Sequence, residues 1–506
     1  MSQFSIASLE YWHLGVLALV TYAVRLYGQY SRLKDFKGPR TTGFSSLWLI
    51  SAVKGHKTHL AYASVNERFG PVARIGPNDL ITSSPELLWR MNGARSTYTK
   101  GEWYLSTRIQ PGHDSVFSGI DEDHHTKRRA QLASGYSGKE NPGLENDIDT
   151  QILNWIHLIK TKYITTSKSF RPMDLARKAQ YFTLDVITQI AFGEAFGDLV
   201  NDEDMHRYVQ STEEMLEVMA ISGAIPALRY MFTIEWLGNL VFPSDKDSTG
   251  IGRLIGIAKD LISKRFGPKA VYRQDMIDSF IRHGLKQDEL VSESLLQVLA
   301  GSDTSATSIR ATMLYLMSHP RIYRKLQAEI DAAVRAGKAP SPVIKASEAA
   351  ELPYLQAVIK EGMRIWPAVT GMLPKVVPPG GDTVEIDGKQ VYLPGGTNVG
   401  YCAWGIHHNK DVFGEDAHVF RPERWLEARG ENLARMAKTA ELIWGWGKYQ
   451  CLGRPVATIE LNKVFFELLR NFDFSLVDPA KPWKSANVGL WMQSELWVEV
   501  TERSAT

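Results

Sequence analysis

Cysteine is nearly missing from this 506-residue sequence: only Cys402 and Cys451 occur, so disulfides do not hold the fold together and a reducing compartment is favoured. An excess of charge of one sign is missing too, since 58 Lys and Arg residues face 56 Asp and Glu residues. A net charge of +2 creates no general attraction for nucleic acid, and we expect no nucleic-acid partner. With 44% hydrophobic and 23% charged residues, the composition excludes disordered and collagen-like chains and predicts a large apolar core.

Internal repeats, low-complexity stretches and long polar linkers are also absent from the sequence, so nothing marks a boundary between domains. Helical patterns dominate, most clearly over 285–318, 321–335, 353–366 and 454–472. Strand-like segments are few: 383–386 and 390–393 are joined by Asp387-Gly388, a hairpin signal, and 490–500 predicts one further strand. The sequence therefore predicts a mainly α fold with a small β-rich part. At roughly 150 residues per domain its length corresponds to about three units, although a single large domain also reaches this length.

The uncharged stretch near the N-terminus is too short to span a bilayer by itself. Residues 11–24 are fourteen residues without a formal charge, whereas a membrane helix needs about 20 apolar residues. If Arg25 extends its charge toward the lipid headgroups, the apolar stretch continues beyond it, and the basic residues within 25–40 predict a cytosolic side for the rest of the chain. We therefore expect residues 1–40 to form a single-pass membrane anchor and basic hinge, in contact with lipid, and 41–506 to form the main domain. The alternative is a first core helix.

The most informative segment is 444–453, W-G-W-G-K-Y-Q-C-L-G. Its glycines permit tight turns and Pro455 starts a predicted helix, so Cys451 lies on a loop just before a helix N-terminus. Backbone N–H groups and the helix dipole favour a thiolate there, and the charges of Lys448 and Arg454 act in the same direction. From these residues alone, Cys451 is a nucleophile, a redox sensor, a metal ligand or an inert buried cysteine.

This segment resembles the haem-binding loop of the cytochrome P-450 superfamily, F-x-x-G-x-R-x-C-x-G. Its residues are most similar to those of fungal family members that act in secondary metabolism. Gly447, Cys451 and Gly453 match the pattern. The resemblance implies a cytochrome P-450 fold that binds haem b, with Cys451 as the axial ligand of the haem iron; a thiolate ligand favours O–O cleavage. Trp444 and Tyr449 replace the family's phenylalanine and arginine, so the resemblance places both at the cofactor. A tyrosine carries no charge, and a propionate contact is therefore weakened or taken over elsewhere.

A second match lies in the long predicted helix, where residues 300–305 read A-G-S-D-T-S and resemble the family's oxygen-activation sequence. The resemblance implies that Asp303 and Thr304 are catalytic. Gly301 is expected to leave room for dioxygen and substrate beside the helix. The Thr304 hydroxyl can bond a backbone carbonyl one turn back and open the helix locally. Asp303 is expected to connect to solvent and deliver protons.

A third match concerns the stability of the fold. Glu361 and Arg364 are three residues apart on one helix face, and Arg424 belongs to the element F-R-P-E-R-W. In the family, such residues form a buried triad that shares its charges. We expect this structural triad to serve the fold and the assembly of the haem site, since breaking one buried charged partner costs about 3–5 kcal/mol.

Three further residues are expected at the haem carboxylates by the same resemblance. His125 and Arg129 have the spacing of the family's third helix, which holds a haem propionate. An arginine suits a carboxylate because two of its N–H groups can bind both oxygens. Lys375 stands where the family often has another propionate-binding arginine, and it keeps the charge but loses the fork geometry.

The electrons must come from another protein, because no G-x-G-x-x-G follows a predicted strand and no flavin domain fits within the chain. The resemblance implies NADPH-cytochrome P-450 reductase as the partner, so that NADPH acts indirectly; cytochrome b5 is a second candidate donor. It also implies the endoplasmic reticulum membrane, with the catalytic domain in the cytosol. A basic surface formed by Lys127, Arg128, Lys448 and Arg454 is a candidate docking face.

The substrate pocket of the family is drawn from segments that correspond to 104–117, 296–304 and 368–373. Their apolar members predict a hydrophobic small molecule, such as a terpenoid, polyketide or alkaloid intermediate: Leu299, Ala300, Val369, Met372 and Leu373. The leading prediction is a haem-thiolate monooxygenase that uses O2 and reductase-derived electrons. The alternatives are a reductase-independent haem-thiolate isomerase or peroxygenase, and a haem-binding sensor without catalysis.

Overall fold

Helices dominate the structure, a computed structural model that describes residues 6–235, 242–339 and 342–503. The α-helices are Ile6–Arg32, Leu47–Lys54, Thr58–Phe69, Pro85–Asn92, Glu122–Tyr136, Leu144–Leu158, Leu175–Phe192, Asp198–Asn201, Tyr208–Ala224, Pro226–Arg229, Gly250–Ser263, Met276–Arg282, Gln287–Ser318, Pro320–Arg335, Ala346–Ala350, Pro353–Ile365, Ala403–His407, Lys410–Phe413, Arg424–Glu427, Gly430–Ala440 and Arg454–Asn471. A π-helical turn lies at Ile159–Tyr163, and short 3-10 helices are Glu102–Thr107, Tyr230–Phe232, Glu441–Trp444 and Gly447–Tyr449.

Among the described residues, the β-rich part consists of four small sheets. The strands are β1 Val72–Arg74, β2 Asp79–Thr82, β3 Thr99–Lys100, β4 Met173–Asp174, β5 Lys375–Val376, β6 Asp382–Ile386, β7 Lys389–Leu393, β8 Asn398–Tyr401, β9 Phe472–Leu476, β10 Lys484–Asn487, β11 Trp491–Ser494 and β12 Trp497–Glu502. The largest sheet has the order β1-β2-β8-β5-β3, in which only β2 and β8 are parallel; β4-β12-β9 forms a second sheet, and β6-β7 and β10-β11 are two-stranded. In the β3–β5 pair, Lys100 lies directly opposite Lys375.

The helix Gln287–Ser318, here called the long helix, lies in the main core. It packs against Leu175–Phe192, Gly250–Ser263, Pro353–Ile365 and Arg454–Asn471. The core between these helices is apolar and fully buried, with Phe182, Val298 and Phe465 all at 0% exposure. Burial of about 25 cal/mol per Å² of apolar surface makes this helical core the main source of stability.

The predicted mainly α fold with a small β-rich part is confirmed. The four predicted helices begin and end within two residues of their expected bounds, because three of them are followed by a proline or glycine and Arg454–Asn471 begins beside Gly453 and Pro455. The hairpin around Asp387-Gly388 is present as β6 and β7. The single strand predicted over 490–500 is wrong: Glu495 has φ +60, and this left-handed residue divides the segment into β11 and β12, which join different sheets.

The N-terminal helix Ile6–Arg32 extends well beyond the uncharged stretch. Within residues 6–235, 242–339 and 342–503, we find no helix whose length and apolar character suffice for crossing a membrane. The predicted anchor over 1–40 is therefore not supported, and its residues 1–5 lie outside the described chain. The physical reason lies in the sequence, since Thr21, Tyr22 and Arg25 interrupt the apolar run before it reaches membrane length.

The residues predicted as a structural triad come together in a fully buried cluster. Glu361 receives two hydrogen bonds from Arg364, at 2.7 and 2.9 Å, and one from Arg424 at 3.0 Å. The indole N–H of Trp425 and the backbone N–H of Arg421 donate to the same carboxylate at 2.9 and 3.0 Å. Every lone-pair direction of the buried carboxylate is thus used, which is what a buried charge requires.

Candidate active site

The loop before the helix Arg454–Asn471 positions Cys451. Gly445 and Gly447 have φ +71 and +56, and a Cβ on Gly447 would collide with the carbonyl oxygen of Asn92, so only glycine fits there. The backbone N–H of Cys451 donates to the carbonyl of Trp444 at 2.6 Å, which closes the loop. The thiol is therefore presented three residues before the helix, by a backbone that other residues would distort.

The thiol of Cys451 keeps an accessible surface although protein surrounds it closely. Burial raises the pKa of this thiol, and the N–H groups of Gly453 and Arg454, with the charges of Arg129 and Arg454, offset only part of that effect. The backbone N–H groups at the helix terminus and the nearby cations thus favour a thiolate as expected, but desolvation outweighs them in the protein without a metal. A bound metal ion would deprotonate the thiol outright.

The long helix carries an uncovered stripe in an otherwise buried stretch. Ala300 is exposed, and Leu296 and Thr304, four residues to either side, are partly exposed, whereas Leu295 and Val298 are fully buried. Residues four apart lie on one helix face. The long helix is also tied to the helix that follows Cys451, since Ser305 donates to Glu460 at 2.7 Å. An accessible enclosed thiol and an uncovered apolar stripe fit a cofactor with a large apolar face.

His125 and Arg129 lie on the helix Glu122–Tyr136 without strong partners. His125 is buried, its Nδ1 has no hydrogen-bond partner among the described residues, and burial lowers its pKa to about 3, so the ring is neutral. Burial lowers the pKa of Arg129, and the guanidinium forms no salt bridge within the described residues. Among the negative groups around it, Cys451 acts most strongly on the pKa of Arg129. A half-buried cation without a carboxylate beside the thiol fits an anionic group of a cofactor.

Lys375 is a second buried cation close by. Its Nζ donates to the hydroxyl of Tyr104 at 2.7 Å and to the carbonyl of Leu373 at 3.2 Å, and it lies 4.3 Å from the ring centre of Tyr449. Burial, together with repulsion from Lys100, lowers the pKa of Lys375 to about 7. Buried lysines are costly unless an anion pairs with them, so this position also fits an anionic ligand group.

Lys100 is buried as well, and the sequence prediction missed it. The strand register sets it opposite Lys375, its Nζ donates to the carbonyls of Val116 and Phe117 at 2.9 and 3.0 Å, and burial lowers its pKa to about 8. Strands of two residues are too short to show an alternating sequence pattern, so their pairing, and with it the position of Lys100, could not be predicted from the sequence.

Glu122 holds Tyr449 and Lys448 in place. Tyr449 donates its hydroxyl to Glu122 at 2.5 Å, the Lys448 ammonium lies 3.0 Å from the same carboxylate, and the Lys100 backbone N–H donates at 3.0 Å. The Tyr449 hydroxyl is thus engaged with a protein carboxylate. Besides the Lys448–Glu122 pair, Lys100, Lys375 and Arg129 have no salt bridge among the described residues, and an anionic ligand would favour their charged forms.

A family model described as Cytochrome P450 matches residues 39–496. The chain belongs to the cytochrome P450 family. Cytochrome P450 monooxygenase ABA1 of Pyricularia oryzae is 42% identical to it over 513 residues, covering 99% of each chain. Its namesake aba1 of Botryotinia fuckeliana is 39% identical over 466 residues, covering 92% of this chain and 90% of the relative. Cytochrome P450 monooxygenase gsfF of Penicillium aethiopicum is 30% identical over 486 residues, covering 93% and 94%.

These findings confirm the predicted superfamily, its fungal character and the enzyme class. The chain is a cytochrome P450 monooxygenase, its cofactor is haem b, and its electrons come from a redox partner. The non-catalytic sensor that the sequence left open is therefore not the function.

In this P450, Thr304 and Asp303 have different surroundings. Thr304 is partly exposed and donates its hydroxyl to the carbonyl of Ala300 at 2.8 Å, as predicted. Asp303 is buried and accepts a hydrogen bond from Gln180 at 2.7 Å, and burial raises its pKa to about 6. Oδ1 of Asp303 therefore bonds to Gln180 instead of making the direct contact with solvent that the sequence predicts.

Gly301 does not leave room for dioxygen or substrate. A Cβ at this position would approach Cγ1 of Ile187 to 2.8 Å, so the glycine faces the helix Leu175–Phe192. Its function is close packing of two core helices, and the expectation from the oxygen-activation sequence is wrong for this residue. The residue that faces the uncovered side is Ala300.

One further expectation from the sequence, that Met372 lines the substrate pocket, is corrected, and the second cysteine is buried as a structural residue. Met372 is buried with Ile81 and Cys402 in a separate core cluster, so it does not line an open pocket, whereas Val369 and Leu373 remain partly exposed. Cys402 is buried, and burial raises its pKa to about 12, so it is inert at neutral pH.

The proposed basic docking face is smaller than expected. Arg128 is buried and forms salt bridges with Glu289 and Glu293 at 2.5 and 3.0 Å. Lys448 is paired with Glu122, and Arg454 lies 2.5 Å from Glu441. Three of the four basic residues are therefore used within the protein; Lys127 is exposed.

Proposed function

We propose that this P450 oxidises a hydrophobic small molecule, a terpenoid, polyketide or alkaloid intermediate of fungal secondary metabolism, with O2 and electrons from NADPH-cytochrome P450 reductase. The observation that carries the proposal is that Cys451 is exposed although protein surrounds it closely, together with the uncovered stripe of the long helix at Leu296, Ala300 and Thr304. Haem b, when bound, supplies the iron at which dioxygen is activated. Cys451 would bind the haem iron through its thiolate, and the other residues of the site would act on the cofactor or on protons.

The haem carboxylates are held, in our proposal, by Lys100, Lys375 and Arg129, with neutral His125 as a hydrogen-bond donor. Tyr449 and Trp444 then support the site indirectly, Tyr449 through Glu122 and Trp444 through the backbone of Cys451. Lysine ammonium groups thus provide the positive charge that the tyrosine at 449 does not carry.

Replacing Lys375 with methionine should accelerate haem loss about tenfold, since a hydrogen bond to a charged group is worth roughly 1.5–3 kcal/mol. Methionine fills the space without a buried charge, so the fold itself should not suffer. Haem transfer to excess apomyoglobin, followed by absorbance, measures the rate. Lys389→Met, on the exposed part of β7, is the matched control. Equal rates for the two variants would show that Lys375 does not hold the cofactor.

Thr304 and Asp303 are the proposed proton-handling residues. Thr304 presents a hydroxyl on the uncovered stripe while it donates to the Ala300 carbonyl, so its oxygen can accept a hydrogen bond from water. Asp303, with a pKa of about 6, changes its protonation state within the range of cellular pH. Together they can hold and pass a proton toward the site where oxygen is reduced.

Replacing Thr304 with alanine should lower the product formed per NADPH about tenfold or more and raise hydrogen peroxide release, because positioned proton transfer contributes factors of this size or larger. Ser308→Ala is the matched control, since Ser308 makes the same kind of bond one turn later, to the Thr304 carbonyl at 3.1 Å. NADPH consumption, product and peroxide are measured together. A product-to-NADPH ratio equal to that of Ser308→Ala would remove Thr304 from the proton path.

The partner and place of action are also proposals. Exposed apolar side chains on the N-terminal helix, among them Trp12 at 68%, Leu17 at 62% and Leu19 at 69%, support contact with a lipid surface. We therefore propose that the enzyme works at the cytosolic face of the endoplasmic reticulum membrane, where the reductase would meet it. Fractionation of cells that express the full chain tests this location.

The experiment that tests the function combines the purified holoenzyme, a reductase and NADPH with a library of terpenoid, polyketide and alkaloid intermediates. Products that gain the mass of one oxygen atom, and that require both reductase and NADPH, are expected. Products of unchanged mass, or products formed without reductase and NADPH, would instead indicate the isomerase or peroxygenase.

A further inference from the structure

A buried cation and a buried carboxylate lie near each other in the core without touching. Arg310 and Asp303 are 2% and 9% exposed, and both belong to the long helix. Within the part of the chain that the structure describes, neither forms a salt bridge, although the charge of Arg310 acts on Asp303. A buried charge without a direct partner destabilises the fold, so another group must stabilise these two charges.

That group is the side-chain amide of Gln180, on the helix Leu175–Phe192. Its Nε2 donates to Oδ1 of Asp303 at 2.7 Å and to the hydroxyl of Ser302 at 2.6 Å. Its Oε1 accepts a hydrogen bond from Nη2 of Arg310. Gln180 is 1% exposed, and the amide dipole therefore lies between the two charges with its negative end toward the cation.

The remaining contacts hold this bridge firmly. Nε of Arg310 donates to the carbonyl of Ala176 at 2.8 Å, which fixes the guanidinium on the same neighbouring helix as Gln180. Asp303, in contrast, accepts a hydrogen bond from the described residues only at Oδ1. One oxygen is thus tethered, and Oδ2 stays free to take up or release a proton.

We propose that Gln180 is a positioning residue that keeps Asp303 and Arg310 apart and so keeps the carboxyl able to change its protonation state. This inference rests on the proposed role of Asp303 in proton handling. A direct arginine contact would favour the ionised carboxylate strongly, whereas the neutral amide passes on only part of that stabilisation. Gln180 touches neither substrate nor cofactor in this proposal and acts only through Asp303.

Several groups set the protonation of Asp303, and the bridge is one of them. Burial raises the pKa of the Asp303 carboxyl to about 6; Arg310 and the Gln180 hydrogen bond lower it, and Glu213 raises it. Tyr208, on the same helix as Glu213, also faces Asp303, and its own pKa is raised well above the usual value, so it stays neutral. Removing the Gln180 hydrogen bond should therefore raise the pH at which the Asp303 carboxyl is half protonated.

The test follows the carboxyl directly by infrared difference titration of the holoenzyme. The band of the protonated Asp303 carboxyl is assigned by its loss in Asp303→Asn, and it should disappear as the pH rises through about 6. In Gln180→Leu, which removes the hydrogen bonds to Asp303, Ser302 and Arg310 while a side chain still fills the space between the two charges, the titration midpoint of Asp303 should rise by about one pH unit. Gln180→Glu places a second carboxyl beside Asp303 and should raise the midpoint as well, by repulsion.

Thr183→Val is the matched control, because Thr183 lies one turn along the same helix and donates to the Ser302 carbonyl at 2.9 Å without touching Asp303. Its midpoint should stay near that of the unmodified enzyme. An unchanged midpoint in Gln180→Leu, or an equal shift in Thr183→Val, would overturn the proposal. The product-to-NADPH ratio separates the role of Asp303 from that of Gln180. If Asp303→Asn leaves this ratio unchanged, Asp303 does not handle protons in the reaction. The infrared titration still decides whether Gln180 controls the protonation of Asp303.

Discussion

Replacing Cys451 with serine should reduce monooxygenase turnover by more than about a hundredfold, since residues that merely support a metal ligand already contribute factors of 10–100. A serine hydroxyl has a far higher pKa than a thiol and does not replace the thiolate as a ligand that pushes electron density onto the iron. The reduced carbon-monoxide complex should accordingly lose its thiolate-type absorption band. Absorption spectra and product formation are measured on the same preparation.

Cys402→Ser provides a matched control for this change. It introduces the same substitution at the other cysteine of the chain, which is buried at 1% exposure in a separate apolar cluster. We expect that variant to keep the thiolate-type band and to lose only some stability. A thiolate-type band that persists in Cys451→Ser would show that Cys451 is not the axial ligand.

The second large effect concerns the buried cluster around Glu361. Arg364→Met should cost about 3–5 kcal/mol of unfolding free energy, because it leaves a fully buried carboxylate with fewer partners. The backbone carbonyls of His407 and Ala417, which accept from Arg364 at 2.7 Å, lose their donors as well. Chemical denaturation of the holoenzyme measures the loss, and the soluble yield reports a variant that fails to fold.

Two comparisons keep this prediction testable even if Arg364→Met does not fold. Trp425→Phe removes a single 2.9 Å hydrogen bond to Glu361 and should cost roughly 1–3 kcal/mol, which leaves a folded protein. Arg321→Met removes a salt bridge to Glu423 whose arginine is 76% exposed, and such pairs contribute about 0–1 kcal/mol. A loss in Arg364→Met no larger than in Arg321→Met would contradict the argument.

The helical part of the fold could be predicted from the sequence because its signals are local. The long helix ends just before Pro320, and the helix Arg454–Asn471 begins beside Gly453 and Pro455 and carries a regular apolar face. The tail strand was predicted too long because a single left-handed residue, Glu495, carries no reliable sequence signal. The N-terminal segment was ambiguous for a physical reason: its apolar stretch is intermediate in length between a core helix and a membrane span.

The site was predictable where one residue type at one spacing carries the chemistry, as with Cys451 on its glycine-rich loop. It was not predictable where tertiary contacts decide. Lys100 joins the site only through its strand register with Lys375, and Gln180 reaches Asp303 from a separate helix. Arg128 was placed on the surface because its charge suggests exposure, yet Glu293 pairs with it in the core.

The close packing of Gly301 against Ile187 has a consequence for how this enzyme could acquire new substrates. A side chain at residue 301 would collide with Ile187, so a substitution there must displace the Ile187 side chain or shift the two core helices. The spacing of these two core helices is therefore constrained, whereas Ala300 faces the uncovered side of the long helix. Selection for a different substrate, in nature or in the laboratory, should leave residue 301 untouched and accumulate changes in 104–117 and 368–373, where loops can be rebuilt without disturbing the helices that carry the chemistry.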